Sequence, residues 1–131
     1  MEVVSNLWLL LVEDERDIRE ALQTLLALEG YHVQAVADLD AARAALRGSS
    51  PRWLVLDLML GNESGESLLE ELAQRDDAPP TVLVSASPRA RDVAHRYQVE
   101  VVRKPFDVDT LIETIRRLGP AHRPSRPQLN Q

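Results

Sequence analysis

Five short apolar runs, each followed by a stretch of helical periodicity, restrict this chain to a narrow set of folds. Residues 7–12 are apolar throughout and end abruptly at Glu13-Asp14-Glu15. Ile18, Ala21, Leu22, Leu25 and Leu26 then recur at the spacing of an amphipathic helix, and Gly30 is suited to end it. Residues 31–36 predict a second, less apolar strand nearer an edge, and Asp38 a cap for a helix with Leu39, Ala42 and Leu46 on one face before Gly48. Residues 53–60 form the third run. A Gly- and Ser-containing loop follows at 61–65, where Ser64 is placed to cap a helix carrying Leu68, Leu69 and Leu72. Pro79-Pro80 introduces a fourth strand over 81–84. Ser87-Pro88 then predicts an N-cap with proline at the first helical position, ahead of a face of Ala90, Val93, Ala94 and Tyr97. Residues 99–102 are the fifth strand. The last helix is capped near Asp107, carries Val108, Leu111, Ile112, Ile115 and Leu118, and stops at Gly119-Pro120.

Strands this short and apolar, joined by helices, imply a parallel sheet covered on both faces with right-handed crossovers. Five units are too few for a closed eightfold barrel. The expected fold is therefore α/β, a doubly wound open sandwich in a single domain over residues 1–118. Residues 119–131 are proline-rich and polar and are expected to be a disordered tail or linker. The chain has 131 residues, a formal net charge of −6 and no cysteine, so a broadly basic nucleic-acid face, disulfides and thiolate metal sites are not expected. The apolar run at 7–12 is too short to span a bilayer and no basic segment precedes it, so a soluble cytoplasmic protein is expected.

The third run holds one carboxylate, Asp57, among apolar neighbours. Burying an uncompensated charge costs several kcal/mol or more, so Asp57 belongs where its strand ends and a cleft opens. In open parallel sheets ligands bind beyond the carboxyl ends of the strands. At those ends this sequence places Glu13 and Asp14, then Asp57, Ser85 and Lys104. Three acids so close repel one another unless a cation joins them, and an all-oxygen donor set selects Mg2+ or Mn2+ over zinc. Lys104 and Ser85 can hold the oxygens of a phosphoryl group placed on Asp57, which makes Asp57 the nucleophile and an acyl phosphate the product. Singly, each residue has an ordinary role. Glu13 and Asp14 suit the positive end of a helix, Asp57 and Ser85 suit turns or caps, and a lone lysine is usually solvated. Their joint placement at successive strand ends carries the functional reading.

With these residues in order, the chain resembles the receiver domain of bacterial two-component response regulators over about residues 7–118. The matching pieces are Leu10-Leu11-Val12-Glu13-Asp14-Glu15, Val55-Leu56-Asp57-Leu58, Gly65, Val84-Ser85-Ala86 and Lys104-Pro105-Phe106. The resemblance implies a flavodoxin-like sheet of strand order 2-1-3-4-5. It implies Asp57 as phosphoacceptor from a histidine kinase or histidine phosphotransfer protein. It also implies Mg2+, with Mn2+ able to substitute, on Glu13, Asp14, Asp57 and the backbone carbonyl of Met59. Ser85 would be the switch hydroxyl, Lys104 the phosphate-sensing lysine, and the Lys104–Pro105 bond cis. Met59 and Ser87 would control water access to the phosphate. Such a protein is a signalling phosphoacceptor, catalysing only its own phosphorylation and dephosphorylation.

Two positions depart from the family pattern. Gly61 stands where proline is common, and Val101 where an aromatic residue usually turns inward on activation. They leave open a receiver-like scaffold that binds partners without phosphorylation. An aspartyl phosphatase of the haloacid-dehalogenase type would need a second acid at position 59, which is methionine, and Glu13-Asp14-Glu15 would repel a flavin phosphate. No output domain follows Leu118, so either the chain acts alone by docking or a linker begins at Gly119. The resemblance places a protein target or self-dimer on helix four, strand five and helix five, with no nucleic acid or membrane contact. Arg89, Arg91, Arg96 and Arg103 there form either a patch for an acidic partner or a solvated face.

Overall fold

A computed structural model describes residues 8–48 and 50–118. The elements are β1 (Trp8–Val12), α1 (Arg16–Leu28), β2 (His32–Val36), α2 (Leu39–Gly48), β3 (Trp53–Asp57), β4 (Met59–Leu60), β5 (Glu63–Ser64), α3 (Glu66–Leu72), β6 (Thr81–Ser85), α4 (Ala90–Tyr97), β7 (Glu100–Arg103) and α5 (Val108–Arg117). Five strands form one parallel sheet in the order β2-β1-β3-β6-β7, while β4 and β5 form a separate two-residue hairpin. Leaving out that hairpin, the order is the expected 2-1-3-4-5.

Alternation along each strand divides the core into two layers. On one face Leu10, Val12, Leu54, Leu56 and Leu83 pack with Leu39, Ala42 and Leu46 of α2, Leu68, Leu69 and Leu72 of α3, and Ala90, Val93 and Ala94 of α4. On the other, Leu9, Leu11, Trp53, Val55, Val82, Val84 and Val102 pack with Leu22 and Leu26 of α1 and Leu111, Ile112 and Ile115 of α5. The central strands β3 and β6 are buried at every position, which is why their sequences read as unbroken apolar runs. The edge strand β2 is only partly buried, as its weaker pattern implies.

Local signals set most boundaries. Gly30 adopts φ +100°, its N–H bonds the Ala27 carbonyl and that of Tyr31 bonds Leu26, closing α1 in a Schellman turn. The Asp38 carboxylate accepts the Ala41 N–H at 2.8 Å and the Ser64 hydroxyl accepts the Glu66 N–H at 3.1 Å. Two expectations need correction and two need refining. Ala21 and Leu25 face solvent, because only Leu22 and Leu26 of α1 lie deep against the sheet. Pro88 lies in a turn before α4 rather than at its first residue, although the Ser87 hydroxyl still accepts the Arg89 N–H. The third strand ends at Asp57 as expected, but the apolar run outlasts it, and Met59 and Leu60 turn away into the hairpin. Asp107 stands at the N-cap of α5 without a side-chain capping bond. The expected tail at 119–131 lies outside the described residues. Among the described residues no helix is long and apolar enough to cross a membrane.

The loop from β3 to α3 is anchored by a close backbone approach. The Gly65 N–H bonds the Leu58 carbonyl at 2.7 Å, and a Cβ at Gly65 would stand 2.5 Å from the Asp57 carbonyl oxygen and 3.3 Å from the Leu58 Cα. Both obstacles are backbone and cannot swing aside. Gly65→Ala is therefore expected to destabilise the domain by about 1–3 kcal/mol, read as a lowered thermal midpoint. An unchanged midpoint would show that the loop absorbs the methyl group.

Candidate functional site

Strand register brings the candidate residues together. Val12 of β1 pairs with Leu56 of β3, so Glu13 and Asp57 come next on neighbouring strands. Ser85 closes β6 opposite Arg103 of β7, and Lys104 follows, its N–H bonding the Ser85 carbonyl at 2.9 Å. Each side chain therefore sits where its strand stops, above the sheet edge from which the helices diverge.

Glu13 and Asp57 are almost wholly buried, at 2% and 5% exposure, while Asp14 is exposed at the rim. Carboxylate oxygens of all three lie within 4.8 Å of one another. Lys104 Nζ donates to Asp57 Oδ2 at 2.9 Å and to Glu13 Oε1 at 3.2 Å. The remaining oxygens take backbone donors, Glu15 N–H on Glu13 Oε2 at 3.1 Å and Met59 N–H on Asp57 Oδ1 at 3.0 Å. Two buried acids thus share one ammonium, with a third acid beside them. Burial, joined by the charge of Asp57, raises the Glu13 pKa despite the Glu15 N–H and Lys104. Burial pulls the Lys104 pKa down, but its bond to Asp57 and the charges of Asp57 and Glu13 outweigh it, leaving the lysine above its ordinary value.

Glu13, Asp14, Asp57 and Lys104 form one cluster. Ser85 is fully buried at the adjoining strand end, but its hydroxyl oxygen accepts the Ser87 N–H at 2.9 Å rather than touching Asp57 or Lys104. Its proton remains available to a new acceptor. Met59 orients Asp57 through its N–H, and its side chain is 54% exposed beside the site. Arg19, which the sequence did not single out, reaches back from α1 to the carbonyls of Glu13 at 3.0 Å and Asp14 at 3.3 Å. It pins the turn that carries both acids. Its one sequence cue is a basic residue one turn into the helix that follows them.

A family model described as "Response regulator receiver domain" matches residues 9–116. The chain belongs to that family. It is 32% identical to the transcriptional regulatory protein DltR of Streptococcus agalactiae over 111 residues, covering 82% of this chain and 50% of DltR. The chain spans about half the length of the curated relatives it matches. The solved receiver domain of NtrX from Brucella abortus is 31% identical, with a TM-score of 0.76, covering 84% of this chain and 96% of that one. TrrA of Thermotoga maritima, solved with Mg(2+)-BeF, is 26% identical with a TM-score of 0.76, covering 85% of this chain and 97% of that one.

In this receiver domain the two departures have structural form. Gly61 has φ +62°, which proline cannot adopt, so the hairpin after Asp57 turns in a way a proline there would forbid. Val101 is half-buried against the layer that holds α2, α3 and α4.

The raised Glu13 pKa fixes a sign. Protonation of Glu13 stabilises the folded state, an advantage fully present below the ordinary glutamate value of 4.5 and lost as pH rises through the higher folded value. In divalent-free buffer at neutral pH, Glu13→Gln is expected to unfold at a higher temperature than the parent. The gap should close in acid, where the parent is itself protonated. A lower midpoint for the variant at neutral pH would show that the bond to Glu15 outweighs the cost of burying the charge.

Proposed function

We propose that this receiver domain accepts a phosphoryl group on Asp57, from a histidine kinase or histidine phosphotransfer protein, and signals through the resulting change of shape. The observation that carries this reading is the sharing of Lys104 between two buried acids beside a third. Such a set is short of positive charge, offers only hard oxygen donors, and suits a small divalent cation. Glu13, Asp14 and Asp57, with the Met59 carbonyl, would hold Mg2+, and Mn2+ would fit the same donors. The cation, when bound, supplies charge that offsets the phosphoryl oxygens.

The chain's own groups do the rest. Asp57 is held by Met59 N–H and Lys104 so that one carboxylate oxygen attacks phosphorus as the bond to the donor nitrogen breaks. Lys104 gives up its bond to Asp57 Oδ2 for a phosphoryl oxygen a short distance away. The Ser85 hydroxyl turns its free proton to another oxygen, leaving the Ser87 amide. Burial of Glu13, Asp57 and Ser85 keeps these charge interactions in low dielectric, where they are strongest. Residues 1–118 would form the receiver unit, residues 119–131 a tail or linker, and a cytoplasmic location agrees with this chemistry. Because the relatives are transcriptional regulators about twice as long, output through a protein target or a self-dimer on α4, β7 and α5 belongs to the same proposal.

Incubation with Mg2+ and acetyl phosphate is expected to add the mass of one phosphoryl group to the parent and none to Asp57→Asn. Failure of the parent to gain mass would favour a scaffold that works without phosphate, a reading that Val101 supports by offering no large side chain to move. Met59 is exposed beside Asp57, so Met59→Asn should change the lifetime of the acyl phosphate, measured by mass against time, while leaving its formation intact. An unchanged decay would remove Met59 from control of water.

A further inference from the structure

Outside the acidic cluster, a second polar convergence lies at the start of α3. Glu66 follows Gly65, and its side chain is only 20% exposed. Its Oε1 accepts Arg89 Nη2 at 3.0 Å, and its Oε2 accepts Arg96 Nη1 together with the Tyr97 hydroxyl at 3.4 Å. One carboxylate therefore ties the beginning of α3 to both ends of α4. Two of the four arginines expected on an outward patch are instead engaged within the chain.

From Arg89 the bonds run on to the site. The Arg89 N–H donates to the Ser87 hydroxyl at 3.1 Å, and the Ser87 N–H donates to the Ser85 hydroxyl at 2.9 Å. At its other end Glu66 is joined to Gly65, whose backbone lies against the Asp57 carbonyl with no room for a side chain. The chain of contacts thus begins beside the proposed acceptor and ends on the proposed switch hydroxyl.

We propose that Glu66 is a positioning residue that holds Ser85 in its present place, so that the contacts from Glu66 to Arg89 and α4 loosen when Ser85 turns toward a phosphoryl group. This rests on the function proposed above and names how that site is regulated. When the Ser85 hydroxyl rotates away, the Ser87 amide loses its acceptor and stays unpaired unless the turn at Ser87 moves, and Arg89 is fastened to that turn. Each exposed ion pair alone is weak. Three donors converging on one mostly buried carboxylate bias the equilibrium together, and only a differential between the two states shifts it. Val101 supplies no bulky lever, so this polar route works beside the short backbone of residues 86–89 that joins Ser85 to α4.

The test compares the parent with Glu66→Gln, which keeps side-chain size, Arg89→Gln, which removes the guanidinium but keeps a polar group, and the double variant. With Mg2+ present, beryllofluoride titrated by calorimetry should bind Glu66→Gln about five- to twentyfold more tightly than the parent, as expected for losing a few such contacts. Mg2+ affinity alone should be unchanged, and the double variant should gain no more than Glu66→Gln. Without any phosphate mimic, amide hydrogen exchange at Ser87 and Arg89 should accelerate in Glu66→Gln. Unchanged or weaker beryllofluoride binding, strictly additive effects, or unaltered exchange would each overturn the proposal. If the parent binds no beryllofluoride, the phosphoacceptor reading fails and this regulatory role fails with it. If the parent binds and Glu66→Gln is no tighter, only the role of Glu66 fails.

Discussion

Lys104 placed between two buried carboxylates is the interaction on which the rest of this domain turns. Glu13 follows β1, Asp57 ends β3 and Lys104 follows β7, so one ammonium joins the ends of three strands that are not all neighbours in the sheet. A buried ion pair is poor evidence of stability, since desolvation offsets most of its attraction. Here two acids compete for one lysine and a third stands at the rim. The pairing is therefore incomplete, and the misfit shows in the raised pKa of Glu13. A fold selected only for stability would have little reason to keep it.

The sheet makes that cluster unavoidable once the register is set. Parallel pairing of Val12 with Leu56, and of Ser85 with Arg103, puts every strand's last polar residue on one rim. Two apolar layers then fix the sheet from both sides, with α1 and α5 on one face and α2, α3 and α4 on the other. The rim residues move only as far as their connecting turns allow. Arg19 holds the turn after β1 by two carbonyls, and Gly65 holds the turn after β3 by backbone contact. The turn after β6 is held by the side-chain hydroxyls of Ser85 and Ser87, and a hydroxyl bond rearranges more easily than a backbone packed against backbone.

Much of this was legible in the residue pattern, because apolar runs and their punctuation report on burial. The five runs at 7–12, 31–36, 53–60, 81–84 and 99–102 gave the sheet strands to within a few residues, and four polar side chains at their ends proved to be one cluster. What stayed hidden depended on partners far along the chain. Leu25 has the same hydropathy as Leu22, and only the tilt of α1 against the sheet decides which is covered. Arg19 acts on carbonyls, which carry no sequence signature. Glu66 meets Arg89, Arg96 and Tyr97 across more than twenty positions, so composition alone read those arginines as a free surface. Ser85 was correctly placed, but the direction of its hydroxyl is set by the Ser87 amide, a detail of turn geometry.

Gly61 and Val101 fit together in physical terms. With φ at +62°, Gly61 lets the chain double back into the β4–β5 hairpin directly after Asp57, and Ser64 then caps the helix that begins with Glu66. The tight hairpin therefore delivers Glu66 to α4 at a fixed height above the sheet. A domain whose fifth main strand carries valine has no large ring to swing between exposed and buried positions. It does have a carboxylate delivered to α4 by a loop that starts at the acceptor itself. Under the proposed mechanism, a change at Asp57 and Ser85 would be felt at α4 through the bonds from Ser87 to Arg89 and Glu66, without any side chain having to cross the core. On that proposal, electrostatic imbalance at the strand ends is the source of sensitivity, and the short hairpin, by setting where Glu66 meets α4, is what would let α4 register it.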